Sequence, residues 1–196
     1  PGKGNYRRGP AFAANLLGGV PHQRPLIRGW EDPLLPHLVA ELDRASQVDI
    51  AVSFIQKSGV RPLWAHLQDL LTRGGRIRLL TGDFLNITDP EALLELSDLA
   101  GATLGSLDMR VYETATTSFH PKAYLFQRQD GTAIAYVGSS NLSESALRFG
   151  VEWNYRVVSS DQGTAFADVA AAFEQLFQHT ATRALDEAWI RAYRSR

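Results

Sequence analysis

The chain has 196 residues, of which 44% are hydrophobic, and this length and composition suit one compact domain with a sizeable buried core. The formal net charge of −1 excludes the overall positive charge that is typical of DNA-coating proteins, although it does not exclude a local basic patch. The sequence contains no cysteine, no signal-peptide pattern and no apolar stretch of the roughly 18 residues that span a bilayer. Disulfide frameworks and thiolate zinc sites are therefore excluded, and we expect a cytoplasmic protein that does not engage a membrane.

Residues 1–33 are rich in glycine, proline and arginine and show no sustained period. We interpret them as an extended or disordered N-terminal arm. The chain begins at Pro1 without a methionine and stops inside a helical pattern, so we expect it to be a piece of a longer protein that continues beyond Arg196.

Clear periodicity begins after Pro33 and predicts alternating helices and strands. The predicted helices cover residues 34–42, 63–71, 90–100 and 166–177, with a last one starting near Arg183. The predicted strands cover residues 48–54, 76–80, 109–112, 122–126, 133–137 and 151–158. Asp130-Gly131 forms the tip of a hairpin between two of these strands. This order predicts an α/β fold over residues 34–196, with a mixed β-sheet sandwiched between helices and no internal repeat.

Three short segments carry residues suited to phosphoryl transfer: His120-Pro121-Lys122, Gly138-Ser139-Ser140-Asn141, and Glu152. His120 and Lys122 project to the same side if a strand begins at or before His120. The glycine and serine segment follows the partner strand and offers backbone N–H groups to a phosphate. Glu152, at the start of the next strand, can accept a hydrogen bond from an imidazole.

Each of these segments has a simpler reading when it is taken alone. A single histidine on a strand is more often structural than catalytic, and a glycine-serine-asparagine run is usually a turn. Glu152 by itself is typical of a surface charge. The joint spacing of the three segments favours a catalytic site.

The same three segments resemble the HxK, GSxN and downstream glutamate pattern of the phospholipase D superfamily. Residues 80–83, 88–93 and 150–154 further resemble the phospholipase-D-like nuclease domains attached to bacterial DEAD/DEAH-box helicases. The resemblance covers residues 34–180 and implies a phospholipase-D-like fold. One position departs from the fuller HxKxxxxD pattern, because Gln127 replaces the aspartate, and this replacement argues against the lipid-hydrolysing branch.

Carried over residue by residue, the resemblance implies four catalytic residues: His120, Lys122, Asn141 and Glu152. His120 would be the covalent nucleophile, and Lys122, Ser139 and Asn141 would bind the substrate phosphate. Glu152 would hold the imidazole. No cofactor or metal is implied, since lysine and amide donors supply the electrostatic stabilisation.

The implied function is metal-independent nuclease activity in a helicase-linked protein of DNA processing or defence, with DNA favoured over RNA and a helicase domain following the chain. The superfamily uses two histidines, and this chain has one HxK. A homodimer with a composite site is therefore expected, unless a second domain supplies the other histidine. The alternative function is a non-catalytic nucleic-acid-binding module that retains the phosphate pocket. Phospholipid hydrolysis lacks support, because no amphipathic interfacial segment is visible.

Overall fold

A single eight-stranded sheet organises the chain in a computed structural model, which describes residues 24–101, 105–114 and 117–196. The strands are β1 (Leu26–Ile27), β2 (Gln47–Val52), β3 (Arg76–Gly82), β4 (Ser106–Tyr112), β5 (Lys122–Gln127), β6 (Ala133–Gly138), β7 (Asn154–Val158) and β8 (Thr182–Ala184). Their spatial order is β1-β7-β6-β5-β2-β3-β4-β8. The pairs β2/β3 and β3/β4 are parallel, and all other pairs are antiparallel, so the predicted mixed sheet is confirmed.

Helices cover both faces of the sheet, as the sequence pattern predicts. They are α1 (Leu34–Leu42), α2 (Lys57–Val60), α3 (Trp64–Thr72), α4 (Pro90–Gly101), α5 (Gly163–Phe177) and α6 (Glu187–Arg194). The larger core cluster joins α1, α3, α4 and α6 to one face, and a smaller cluster built on Phe173 and Phe177 of α5 covers the other. Among the described residues, no helix is long and apolar enough to cross a bilayer.

A buried ion pair fastens α5 to its face of the sheet. Arg78 of β3 forms two hydrogen bonds of 2.7 Å with the carboxylate of Asp49 in β2 and one of 2.6 Å with Glu174 of α5. Its guanidinium carbon lies 4.8 Å from the ring centre of Phe173. The carboxylates raise the pKa of Arg78 further, although burial acts against them. The guanidinium therefore stays charged and ties two strands to one helix.

The structure corrects three predicted boundaries. Leu26–Ile27 pairs antiparallel with β7, and Ile27 is fully buried, so the folded region begins before residue 34. Residues 1–23 of the predicted arm lie outside the described residues. The strand expected from Val151 begins only at Asn154.

The last correction concerns the C-terminal helix, which was expected to begin near Arg183. Residues 182–184 instead form β8, an edge strand on β4. The helix begins at Glu187 after an Asp186 cap, whose carboxylate accepts the Trp189 N–H at 2.7 Å. A three-residue polar strand has no hydrophobic alternation of its own, and its pairing with a distant strand creates it.

Candidate active site

Four chain segments converge at one edge of the sheet, which we call the catalytic edge. β2 ends there, β5 begins there, β6 runs into the 139–141 loop there, and the segment before β7 passes beside that loop. The antiparallel register explains the convergence, because Val52 pairs with Lys122, and Gly138 pairs with Asn154. The three predicted site segments are thereby brought together.

His120 and Lys122 contact each other directly. β5 begins at Lys122, as the sequence pattern predicts, and His120 lies exposed in the preceding loop, so the condition of a strand that starts at or before His120 is not met. Lys122 Nζ nevertheless lies 3.0 Å from His120 Nδ1 and donates to the His120 carbonyl at 2.8 Å. When the ammonium donates to Nδ1, the ring proton of a neutral imidazole sits on Nε2.

The loop after β6 is held against the segment before β7 by hydrogen bonds through Ser139. Its N–H donates to the Trp153 carbonyl at 3.0 Å, and its Oγ accepts the Trp153 N–H at 3.0 Å. The Ser139 hydroxyl also donates to the Glu152 carboxylate. Two predicted site residues, Ser139 and Glu152, are therefore in contact, while the predicted bond between Glu152 and the imidazole stays a prediction.

A glycine is required at the start of this loop by close packing. A Cβ built on Gly138 would lie 2.0 Å from the Trp153 carbonyl oxygen, too close for any other residue without a backbone shift. Ser140, which fills the variable position of the motif, is fully buried. Its Oγ accepts from Asn154 Nδ2 at 2.8 Å, and its carbonyl accepts from Tyr124 at 3.1 Å, so this residue anchors the loop to the sheet.

Asn141 is buried and oriented by the end of β2. Its Oδ1 accepts the backbone N–H groups of Ser53 at 2.9 Å and of Phe54 at 3.3 Å. With the carbonyl oxygen committed to these two donors, the amide nitrogen is the group of this side chain that can donate to a phosphate.

Ser53 is a site residue that the motif analysis missed. Its Oγ accepts a hydrogen bond from Lys122 Nζ at 2.8 Å, while its N–H binds Asn141. One buried serine at the end of β2 thus contacts both of the residues expected to stabilise phosphate charge. Its position at the end of a buried parallel strand, where ligands often bind in α/β sheets, was the available signal.

The electrostatic environment of Lys122 combines two opposing influences. Partial burial lowers the pKa of Lys122 from its usual range, and the nearby Glu152 carboxylate raises it in part. The same burial effect, with Glu152 adding to it, raises the pKa of the Tyr124 phenol beneath the loop, so this group stays neutral. Among the described residues, no group of three or more histidine, aspartate or glutamate side chains is arranged to hold a metal ion.

Together, the fold and the site describe an α/β protein with a compact set of histidine, lysine, serine, asparagine and glutamate at one sheet edge. A family model described as the phospholipase-D-like domain of cardiolipin synthase matches residues 38–180. The chain belongs to this phospholipase-D-like family. Membership of the phospholipase D superfamily supports an enzyme that acts on phosphodiester bonds. No curated protein matches the chain.

Solved structures with the same fold come from proteins with different names and roles. NucT from Helicobacter pylori is 12% identical, with a TM-score of 0.57 over 78% of this chain and 91% of its own. A phosphatidylserine synthase from Haemophilus influenzae is 15% identical, with a TM-score of 0.55 over 76% of this chain and 36% of its own. TrmBL2, an archaeal chromatin protein described with a novel mode of DNA binding, is 16% identical, with a TM-score of 0.54 over 83% and 55%. At these identities the likeness establishes the fold alone.

Proposed function

We propose that the protein is a metal-independent phosphodiesterase that cleaves nucleic acid through a covalent phosphohistidine on His120. The observation that carries this proposal is the contact of Lys122 Nζ with both His120 and Ser53, at 3.0 and 2.8 Å, beside the oriented amide of Asn141. The proposed nucleophile therefore lies close to two groups that can stabilise negative charge. Preorganised donors of this kind are usually the largest single contribution to stabilising the charge that develops in a transition state.

The proposed reaction has two steps. In the first, an imidazole nitrogen of His120 attacks phosphorus, the P–O bond to the leaving group breaks, and the leaving oxygen takes a proton from a second histidine. In the second, that histidine removes a proton from water, the water oxygen attacks phosphorus, and the P–N bond breaks. Lys122, Ser139 and Asn141 would stabilise the charge on the phosphate oxygens in both steps.

Glu152 would select the tautomer of the attacking histidine. A carboxylate that accepts a proton from one ring nitrogen leaves the lone pair of the other nitrogen available for attack. The contact between Lys122 and His120 Nδ1 instead favours a neutral ring with its proton on Nε2. The histidine that protonates the leaving group must carry protons on both nitrogens, because a neutral ring that gave up its proton would become an imidazolate, so its Nδ1 would not accept from Lys122. The two roles therefore require two different protonation states of the same histidine position.

This difference supports a homodimer with one composite site, in which each chain supplies one His120. The test is to mix wild-type chains with His120→Ala chains in equal amounts and allow the subunits to exchange. With random pairing, about one quarter of the dimers keep both histidines, so activity should fall to about one quarter of that of the same total amount of wild-type protein. A fall to only one half would show that each chain works alone.

Nucleic acid is the substrate class that we favour, with DNA ahead of RNA. The replacement of the motif aspartate by Gln127 supports this choice, and so does the DNA binding described for the similarly folded TrmBL2. The phosphatidylserine synthase with this fold makes lipid the necessary comparison. Oligonucleotides and phospholipid vesicles should therefore be tested side by side, and release of phosphate esters from vesicles alone would contradict the choice.

The direct test of the enzyme is hydrolysis of bis-para-nitrophenyl phosphate in the presence of EDTA. We expect unchanged activity in EDTA and none in His120→Ala. A strict requirement for Mg²⁺ would contradict the mechanism. Binding of oligonucleotides without hydrolysis of any phosphodiester would favour the second candidate, a nucleic-acid-binding module, whose support is the same retained phosphate pocket.

We also propose that the domain works in the cytoplasm as part of a longer, helicase-linked protein. The support is the resemblance of residues 80–83, 88–93 and 150–154 to helicase-attached domains. A full-length protein of this kind should hydrolyse ATP in a nucleic-acid-dependent manner. Absence of that activity from the full-length chain would remove the helicase assignment without affecting the nuclease assignment.

A further inference from the structure

A shallow aromatic cleft of about 280 Å³ lies beside the catalytic edge. It is lined by Trp30, Arg148 and Phe149. Trp30 is 74% exposed and Phe149 is 67% exposed, although aromatic rings of this size usually bury most of their surface. We call this feature the aromatic cleft.

The position of Trp30 in the cleft is fixed by the main chain. Its N–H donates to the Gly150 carbonyl at 3.1 Å. The preceding Gly29 has a φ of +71°, and a Cβ at that position would lie 2.3 Å from the same carbonyl oxygen. The close approach that only glycine permits therefore holds the indole next to the segment that leads to Glu152.

The exposed apolar side chains continue from the cleft toward the phosphate-binding loop. Val151 and Trp153 are 76% and 64% exposed. Trp153 is joined to Ser139 by two hydrogen bonds of 3.0 Å through its main chain. The main chain of Trp153 thus connects the exposed aromatic surface to the proposed phosphate site.

We infer that the aromatic cleft binds an unpaired nucleobase next to the phosphate being cleaved. This inference rests on the proposed nucleic-acid substrate and names the form that the substrate takes at this site. Trp30 and Phe149 offer flat faces for stacking, as aromatic residues do in proteins that bind single strands. Arg148 adds a cation that can stack on a base or pair with a neighbouring phosphate.

The charge of Arg148 favours a nucleic acid over a second protein chain as the occupant. Its carboxylate partner, Glu144, lies 3.8 Å away, at the outer limit of an ion pair, and both side chains are more than 40% exposed. A guanidinium held this loosely remains available to an anion. A nucleotide supplies both the base and the phosphate that the cleft and its cation require.

The test compares single-stranded oligonucleotides that differ by one abasic position, using catalytically inactive His120→Ala protein so that the strands stay intact. Fluorescence anisotropy should show that the missing base weakens binding about 10-fold, as loss of one stacked base does elsewhere. Trp30→Ala and Phe149→Ala should weaken binding to the complete strand by a similar factor and leave binding to the abasic strand unchanged. Trp30→Phe should restore much of the loss.

Leu85→Ala is the matched control, since Leu85 is an equally exposed apolar residue, 71% accessible, outside the cleft. Equal affinity of all variants for the complete strand would overturn the inference. A shift from dimer to monomer in Trp30→Ala, measured by sedimentation, would also overturn it and would assign the cleft to a subunit contact. Hydrolysis of bis-para-nitrophenyl phosphate by the wild-type protein reports separately on the proposed function, because this substrate has no base.

Discussion

The two edges of the sheet present cationic groups in contrasting ways. At the edge opposite the catalytic edge, a cleft of about 560 Å³ is lined by Arg44, Arg73 and Arg128. The candidate site at the catalytic edge instead contains one lysine, Lys122. The number of cations alone would therefore place a phosphate site at the opposite edge.

The partners of these cations reverse that conclusion. Arg73 donates to the Asp69 carboxylate at 2.8 Å, and Arg128 donates to the Glu41 carboxylate at 2.6 Å. The hydrogen-bond partners of Lys122 are the neutral Ser53 hydroxyl and His120. A cation that is hydrogen-bonded to neutral groups can still attract an anionic ligand strongly. The positive potential of a cation that is paired with a carboxylate is largely neutralised by that partner. The comparison teaches that the partners of a cation matter more than the number of cations.

The largest effect in this comparison should come from His120→Ala. Removal of the proposed nucleophile should reduce hydrolysis by several orders of magnitude, because the remaining groups cannot form a covalent intermediate. Hydrolysis of bis-para-nitrophenyl phosphate is the measurement, with circular dichroism to confirm folding. His66→Ala is the matched control. His66 lies away from the catalytic edge, and its Nδ1 is 2.6 Å from the Asp43 carboxylate. Equal losses in both variants would remove the special role of His120.

Glu152→Gln should have the next largest effect. If the carboxylate sets the histidine tautomer, turnover should fall on the scale of about 10⁴, as when an orienting aspartate is replaced by asparagine. The phosphate ligands remain, so KM should change little. Normal turnover with a raised KM would instead assign Glu152 to substrate binding through its contact with Ser139.

The same variant should also change the pH profile. If Lys122 stabilises the phosphate as an ammonium, activity should fall as the pH rises through the pKa of this group, which burial lowers and Glu152 partly restores. Removing the carboxylate takes away the restoring influence, and the basic limb of kcat against pH should move to lower pH. If the basic limb moves to higher pH, or does not move, the titration of Lys122 is not its cause.

A smaller loss is expected for Ser53→Ala. The variant removes the oxygen that accepts from Lys122 and keeps the backbone N–H that holds Asn141. We expect turnover to fall roughly 10-fold, the size of one hydrogen bond to a charged group. Ser53→Thr retains the hydroxyl and should recover activity. Equal turnover in Ser53→Ala and wild type would show that Lys122 needs no support from β2.

The smallest effect should follow from Arg44→Ala at the opposite edge. We expect hydrolysis and oligonucleotide affinity within about twofold of wild type, since a single exposed surface charge away from the site contributes little. Filter binding and the hydrolysis assay measure the two quantities. A loss of binding comparable to that of a Lys122 variant would make the opposite edge a second nucleic-acid surface.

The sequence predicted those parts of the site that depend on local spacing. His120 and Lys122 are two residues apart, so they are in contact even though His120 lies in the loop before the strand. The α/β class and both covered faces followed from hydrophobic periodicity. The first two segments of the motif meet through the hairpin register of β5 and β6, and Glu152 joins them through the pairing of β6 with β7, so each pairing links segments that are close in sequence.

Contacts between distant segments lay beyond that reasoning. Ser53 is 69 residues from Lys122, and their contact depends on the pairing of β2 with β5. The strand β8 and the pairing of Leu26–Ile27 with β7 are likewise created by a partner strand and not by local pattern. Tertiary pairing of this kind explains why the outermost strands of the sheet, β1 and β8, were the least predictable part of the fold.

The central claim is that His120 forms a covalent bond to the substrate phosphorus, and one measurement tests it directly. Wild-type protein should be mixed with a labelled phosphodiester, quenched in alkaline denaturant to preserve a P–N bond, and digested for mass spectrometry. The account predicts a phosphoryl adduct on the peptide that contains His120, formed within the first turnover and lost as product appears. Product formation with no adduct on His120 at any time, or an adduct on another residue, would contradict it.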